Sequence, residues 1–139
     1  MCGIAGVVSP RPLERVPHLL ETFSRTLRHR GPDDHGFLTW AGHGFSRGRD
    51  AAALPDARVV LVHRRLSIFD LSERGWQPMV DPSGRHAIVF NGEIYNHPEL
   101  RRELEADGCT FVSTTDTEVL LHLVRGQGVD ALRRTIGMF

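Results

Sequence analysis

Cys2 carries the most chemical potential in this chain of 139 residues, because removal of Met1 would turn it into an amino terminus bearing both a thiol and an amine. An interior cysteine depends on a neighbouring histidine or helix end for its thiolate, whereas a terminal one has a base of its own. The α-amine has a reference pKa of about 7.7–8.0 and the thiol of about 8.5, so near neutral pH the amine can take the thiol proton through a water. The small side chain after Met1 suits methionine removal. Taken alone the position says little, since most cysteines are not nucleophiles. Other groups that could serve the same chemistry are scattered further along. Asn91-Gly92 offers amide donors, although that dipeptide also favours a two-residue hairpin turn. Arg65 can grip a carboxylate with a bidentate fork, and its ordinary alternative is a surface ion pair. Glu93 and Asp116 are carboxylates suited to an ammonium group, and Asp116 equally suits a helix N-cap.

Blocks of sequence tie these positions together. The chain opens Met1-Cys2-Gly3-Ile4-Ala5-Gly6-Val7-Val8. Then come Arg28-His29-Arg30-Gly31-Pro32-Asp33-Asp34-His35-Gly36, His63-Arg64-Arg65-Leu66-Ser67-Ile68-Phe69-Asp70, Phe90-Asn91-Gly92-Glu93-Ile94-Tyr95-Asn96 and Thr115-Asp116-Thr117-Glu118-Val119-Leu120-Leu121. In type and order they resemble the class II glutamine amidotransferases. Arg30-Gly31-Pro32-Asp33 followed by Gly36, and Gln77-Pro78-Met79, look like the branch of glutamine-hydrolysing asparagine synthetase. The resemblance implies hydrolysis of L-glutamine to glutamate and ammonia through a Cys2 thioester. The Asn91 side-chain nitrogen and Gly92 N–H match the family's oxyanion donors. Arg65 would meet the glutamine α-carboxylate, and Glu93 and Asp116 the α-ammonium. Charges of opposite sign at the two ends of the ligand would select an α-amino acid over a simple amide.

Composition narrows the remaining possibilities. Seventeen basic residues balance seventeen acidic ones, which leaves no electrostatic footprint for nucleic acid or an anionic membrane. No apolar run approaches the roughly 18 residues a spanning helix needs, and no export signal opens the chain, so a cytoplasmic location is expected. Every basic residue other than histidine is arginine, which excludes Schiff-base lysine chemistry and a phosphate-loop lysine. No cofactor is expected in this chain; ATP and magnesium would belong to a synthetase domain that the sequence lacks. The eight histidines stand singly, without metal-ligand spacing. A disulfide between Cys2 and Cys109 would block the nucleophile, so Cys109 reads as structural or incidental.

The elements that must position these groups are legible in part. Ile4 to Val8 is a short apolar run that would hold Cys2 at a strand tip. Val16, Leu19, Leu20, Phe23 and Leu27 recur at helical spacing. Phe37 to Trp40 and Gly44 to Ser46 read as a strand pair, and Arg47 to Ala57 as a surface loop. Strand character at Val59 to Val62 and Leu66 to Phe69 is interrupted at His63-Arg64-Arg65. Asp70 to Gly84 reads as a long irregular connection over a pocket, with Trp76 a candidate cover. Ala87 to Phe90 is a strand, Gly92 permits an unusual angle or a close approach, and Ile94-Tyr95 resumes extension. A helix runs from Pro98 to Ala106, a strand from Thr110 to Val112, a helix capped by Asp116 to Arg125, and a shorter helix from Val129 to Arg134.

This pattern is α+β. The resemblance adds the αββα sandwich of N-terminal-nucleophile hydrolases, incomplete here because the later strands are absent and Phe139 would leave an apolar edge. Residues 1–139 are thus expected to form a partial type-2 glutamine amidotransferase domain without its synthetase domain. The expected partners are L-glutamine and a synthetase domain or subunit that receives ammonia. The alternatives are a catalytically impaired fragment and an ammonia-supplying subunit that needs a partner chain.

Overall fold

A computed structural model describes residues 2–66 and 73–139. Strand β1 (Gly3–Val8) pairs antiparallel with β4 (Val59–Arg65), and β4 with β2 (Asp34–Trp40), which pairs with β3 (Phe45–Gly48). The resulting four-stranded sheet has the order β1-β4-β2-β3. Helix α1 (Val16–Thr26) lies on one face of it. Val16 and Leu20 join Phe37, Val60 and Val62 in a buried cluster, with Ala5, Val7 and Phe23 packed around it. The segment expected as a surface loop contributes to the same cluster. Ala51–Ala53 form a 3-10 turn capped by the Asp50 carboxylate, and Ala51, Leu54 and Ala57 are buried. Its small apolar residues had no period to betray them because a 3-10 turn of three residues is too short to show one.

The second apolar cluster joins Ile94, Leu100, Leu104, Val119, Leu120 and Leu123. It is built from α2 (His97–Ala106), α3 (Asp116–Gln127) and a 3-10 helix at Val129–Arg134. Two short strand pairs flank these helices. β5 (Met79–Val80) pairs with β6 (Ala87–Ile88), and β7 (Glu93–Ile94) with β8 (Gly137–Met138). The expected connection from Asp70 to Gly84 therefore holds a strand and a tight turn in its second half. Asp81 organises that turn. Burial alone would raise the pKa of its carboxyl, but donors from the Ser83 side chain and from the backbone of His86, Arg85 and Ser83 outweigh it and hold the pKa well below the usual range.

Three further expectations are corrected. Strand β4 runs without a break through His63, Arg64 and Arg65, all buried, so the charged triplet does not interrupt the sheet. Thr110 to Val112 is not a strand. The backbone N–H groups of Val112 and Ser113 donate to the buried Glu118 carboxylate at 2.8 and 2.7 Å, which bends the segment onto α3 and leaves no ladder partner for it. The N-cap of α3 is Thr115, whose hydroxyl accepts from the Glu118 N–H at 3.3 Å. Asp116 is the first helical residue instead, free to reach sideways. The expected strand at Leu66 to Phe69 falls mostly on residues 67–72, outside the described residues. At the other end β8 pairs with β7, while Ile136, Met138 and Phe139 remain exposed.

Glu118 also accepts from the Ser113 hydroxyl at 2.6 Å. Replacing it with alanine orphans two partly buried N–H groups, each costing about 1–3 kcal/mol. Urea unfolding of Glu118→Ala is expected to show a loss of about 2–3 kcal/mol; a shift within about 0.5 kcal/mol would mean these donors are satisfied by solvent.

Candidate active site

Alternation along β4 sorts its side chains by face. Val60 and Val62 point into the cluster under α1, and Arg64 follows them: its guanidinium donates to Gly31 O at 2.8 Å and reaches Ser24 Oγ of α1 at 3.5 Å. His63 and Arg65 point the opposite way. In β1, Gly3 lies opposite Arg64 and Ile4 opposite His63, so continuing the register one residue sets Cys2 opposite Arg65 on the same face. That face opens on a cavity of about 520 Å³ lined by Cys2, His63, Arg65, Asn91, Gly92, Glu93 and Asp116 among others. All six residues singled out from the sequence reach this one cavity. The volume falls within the roughly 300–1,000 Å³ of small-molecule sites.

Cys2 immediately precedes β1, and its sulfur receives the Leu66 N–H at 3.4 Å. A backbone dipole thus points its positive end at the atom that would carry negative charge. Neither Cys2 nor Cys109 is in a disulfide. Arg65 is 8% exposed and directs its guanidinium toward Gly75, where an added Cβ would lie 3.0 Å from its Nη2. Its backbone is pinned as well, since Arg65 O accepts from the Asp33 N–H at 3.1 Å.

Asn91 and Gly92 do not form a two-residue hairpin turn. They join β6 to β7, and those strands pair with different partners, β5 and β8. Gly92 has no positive φ; what it requires is close approach. A Cβ there would come within 2.5 Å of Phe139 Cβ and 2.7 Å of Met138 O. The Asp116 carboxylate faces the same bend and accepts from the Ile94 N–H at 2.9 Å. Glu93, the one exposed residue of the six, stands at the cavity rim.

His63 and Gln77 belong to this wall too, although neither is among the six. His63 is 1% exposed, with neither ring nitrogen in a well-formed hydrogen bond among the described residues. Burial, then the Arg65 charge, push its pKa down to about 4, against weaker opposing effects of the Phe90 backbone and Asp34. The imidazole is neutral at pH 7. The strand period, carried through the charged triplet, was the signal that would have placed it beside Arg65. Trp76 is corrected in the other direction. It turns away from the cavity, donates to His35 O at 2.9 Å and carries the guanidinium groups of Arg47 and Arg49 over its ring at 5.0 and 4.7 Å. Gly36 makes this possible, because a Cβ there would sit 2.0 Å from Gln77 O and 2.8 Å from the Trp76 indole nitrogen.

A second cavity of about 500 Å³ lies beside α1, lined by Arg25, Arg28, Arg49 and Arg64 among others, and no cysteine lines it. Among the described residues no group of three or more His, Cys, Asp or Glu side chains could hold a metal ion. No described helix is long and apolar enough to cross a membrane.

Cys2, at the head of an antiparallel sheet, shares one cavity with a guanidinium, two carboxylates and two adjacent amides. In fold the chain is similar to the glutamine phosphoribosylpyrophosphate amidotransferase from B. subtilis, complexed with ADP and GMP, on which it superposes with a TM-score of 0.71 at 22% identity. That match covers 98% of this chain and 33% of the other. The model of the glutamine amidotransferase domain family matches residues 1–139, and the chain belongs to that family. It is 39% identical over its whole length to asparagine synthetase [glutamine-hydrolyzing] 1 of Bacillus subtilis and 36% to asparagine synthetase B of Escherichia coli. It is 40% identical over 98% of its length to glutamine--fructose-6-phosphate aminotransferase [isomerizing] of Symbiobacterium thermophilum. The chain spans only 20%, 22% and 24% of these three relatives respectively.

The buried imidazole gives the site a pH signature. As pH falls through about 6.5 the unfolded chain takes up a proton on His63, while the folded chain does not until about 4. Stability therefore declines across that window by up to about 1.4 kcal/mol per pH unit from this residue. His122, also held below its ordinary value by burial and then by Arg125, adds to the same slope. Urea midpoints measured from pH 7 to pH 4 are expected to fall less steeply in His63→Gln than in the parent chain. An identical slope would show His63 to be solvated.

Proposed function

We propose that this domain hydrolyses L-glutamine to glutamate and ammonia, with Cys2 as nucleophile. The reading is carried by one observation: six side chains or amides of the required kinds, drawn from four separate stretches of the sequence, line one cavity. After Met1 is removed, the Cys2 amine takes the thiol proton and the sulfur attacks the glutamine δ-carbonyl carbon. The carbonyl oxygen becomes an oxyanion that accepts from Asn91 Nδ2 and the Gly92 N–H. The protonated amine then gives its proton to the departing nitrogen, ammonia leaves, and a thioester remains. Water, deprotonated by the same amine, attacks the thioester and releases glutamate. Arg65 holds the α-carboxylate, and Asp116 and Glu93 the α-ammonium. Asp116 can serve both substrate and fold, since each carboxylate oxygen has more than one acceptor site.

The donor set contains everything the two acyl-transfer steps need, so no metal or nucleotide takes part in them. ATP and magnesium enter only in a synthetase domain that consumes the ammonia. We further propose that this acceptor is activated aspartate. Support comes from the asparagine synthetases that match the whole chain at 34–39% identity. The comparable identity to an isomerizing aminotransferase makes a sugar phosphate the competing acceptor. Amination of aspartate but not of fructose 6-phosphate, by the complete gene product supplied with glutamine and ATP, is the expected result.

Methionine-processed protein is expected to release glutamate from glutamine, and Cys2→Ala to release none above background. Folded, processed protein that forms no glutamate would refute the reading. Asn91→Ala is expected to lower kcat by about 10²–10³ while leaving KM within a few-fold, as for loss of an oxyanion donor. Arg65→Lys should instead raise KM, because an ammonium cannot copy the bidentate grip. Turnover is expected to be indifferent to a chelator.

A further inference from the structure

Gln77 makes a connection that the chemistry above does not use. It is 7% exposed and lines the cavity beside Asn91 and Gly92. Its Oε1 accepts the Phe90 N–H at 2.6 Å, and its Nε2 donates to Thr117 Oγ1 at 3.2 Å. Thr117 Oγ1 in turn donates to Asp116 Oδ1 at 3.4 Å, and Asp116 Oδ2 accepts the Ile94 N–H at 2.9 Å. The chain of bonds closes on itself: it leaves the backbone just before Asn91 and returns to it just after Glu93. The three intervening residues include both proposed oxyanion donors and one proposed ammonium ligand. Asn91 and Gly92 lie between β6 and β7, in neither ladder, so ladder hydrogen bonds do not hold them.

We propose that Gln77 is a positioning residue, whose carboxamide fixes the Asn91-Gly92 donors relative to the first turn of α3 and so to Asp116. This rests on the glutamine-hydrolysing reading above. A carboxamide suits the task because it accepts at one end and donates at the other. Glutamate offers no donor for Thr117 and would place a second carboxylate near Asp116. Leucine offers neither group and leaves the Phe90 N–H buried without a partner. Leucine frees the bend at Phe90, and glutamate keeps that bond but lacks the donor that ties it to Thr117; in either variant the bend is uncoupled from α3 and the donors drift from where the oxyanion forms. Displacements of about 1 Å cost about 10²-fold in rate.

The test is steady-state glutamine hydrolysis by Gln77→Leu and Gln77→Glu, each alone and combined with Asn91→Ala. The expected result is a fall in kcat of about 10–100-fold for either single variant, with KM within about three-fold. Alkylation of Cys2 by iodoacetamide should proceed at the parental rate, since no oxyanion forms in that reaction. In the Asn91→Ala background the Gln77 substitutions should cost clearly less than in the parent, because one of the two donors they position is already gone. Thr117→Val, which removes only the far link, is expected to lie between parent and Gln77→Leu, and carries the test if the Gln77 variants do not fold. Parent-like kcat in folded Gln77→Leu, or in Thr117→Val should it have to stand in, would overturn the proposal. So would a loss that multiplies fully with Asn91→Ala, or one that slows alkylation equally. An inactive parent chain would instead remove the functional reading beneath it.

Discussion

The register between β1 and β4 is the constraint on which the site depends. An antiparallel pair admits only two faces, and a slip of one residue exchanges them. With Ala5 and Val7 packed against Val60 and Val62 beneath α1, slipping would drive those side chains toward the cavity and swing Cys2 and Arg65 into the hydrocarbon cluster. The apolar half of the sheet thereby enforces the polar half. Cys2 acquires a defined direction because the six residues after it are zipped to a buried strand.

A second wall meets this sheet at the cavity, made not of strands but of satisfied buried polar groups. Thr115 caps α3, Glu118 gathers the N–H groups of the preceding bend, and Asp116 and Gln77 hold the far one. Each of these side chains bonds to backbone that belongs to no ladder. That is a costly way to build unless every partner is present, because an unpaired buried donor is penalised more than a paired one is rewarded. The compensation is geometric definition exactly where irregular chain carries the donors. Gly36 and Gly92 complete the arrangement from the other side, each admitting a neighbouring backbone or ring where a Cβ would collide.

How much could be read in advance depends on the range of the interaction. Long periodic segments were legible: α1 announced itself by Val16, Leu20 and Phe23, and α2 by Leu100 and Leu104. The six candidate residues were legible too, through blocks whose residue types resemble a known family. The errors share one cause. His63-Arg64-Arg65 looked like an interruption because charge argues against a buried strand, yet Arg64 is accommodated by carbonyl oxygens of Gly31 and Pro32, more than thirty residues away. Thr110 to Val112 had strand-forming side chains, but Glu118 claimed its N–H groups. Trp76 had the size to cover a pocket, and two guanidinium groups held it outside.

The amino-acid sequence by itself determined the candidate reagents: a cysteine next to Met1, an adjacent Asn-Gly pair, a guanidinium, carboxylates, and the periodic stretches that make helices and strands. These follow from side-chain chemistry and local spacing, which need no partner to be expressed. Only the tertiary structure decided that they share one cavity, that Asp116 anchors Ile94 while Thr115 caps the helix, and that Gln77 and His63 belong to the same wall. Those outcomes depend on which distant backbone groups are left without a ladder partner once two apolar clusters have formed, and a burial contest of that kind is settled by the whole chain at once.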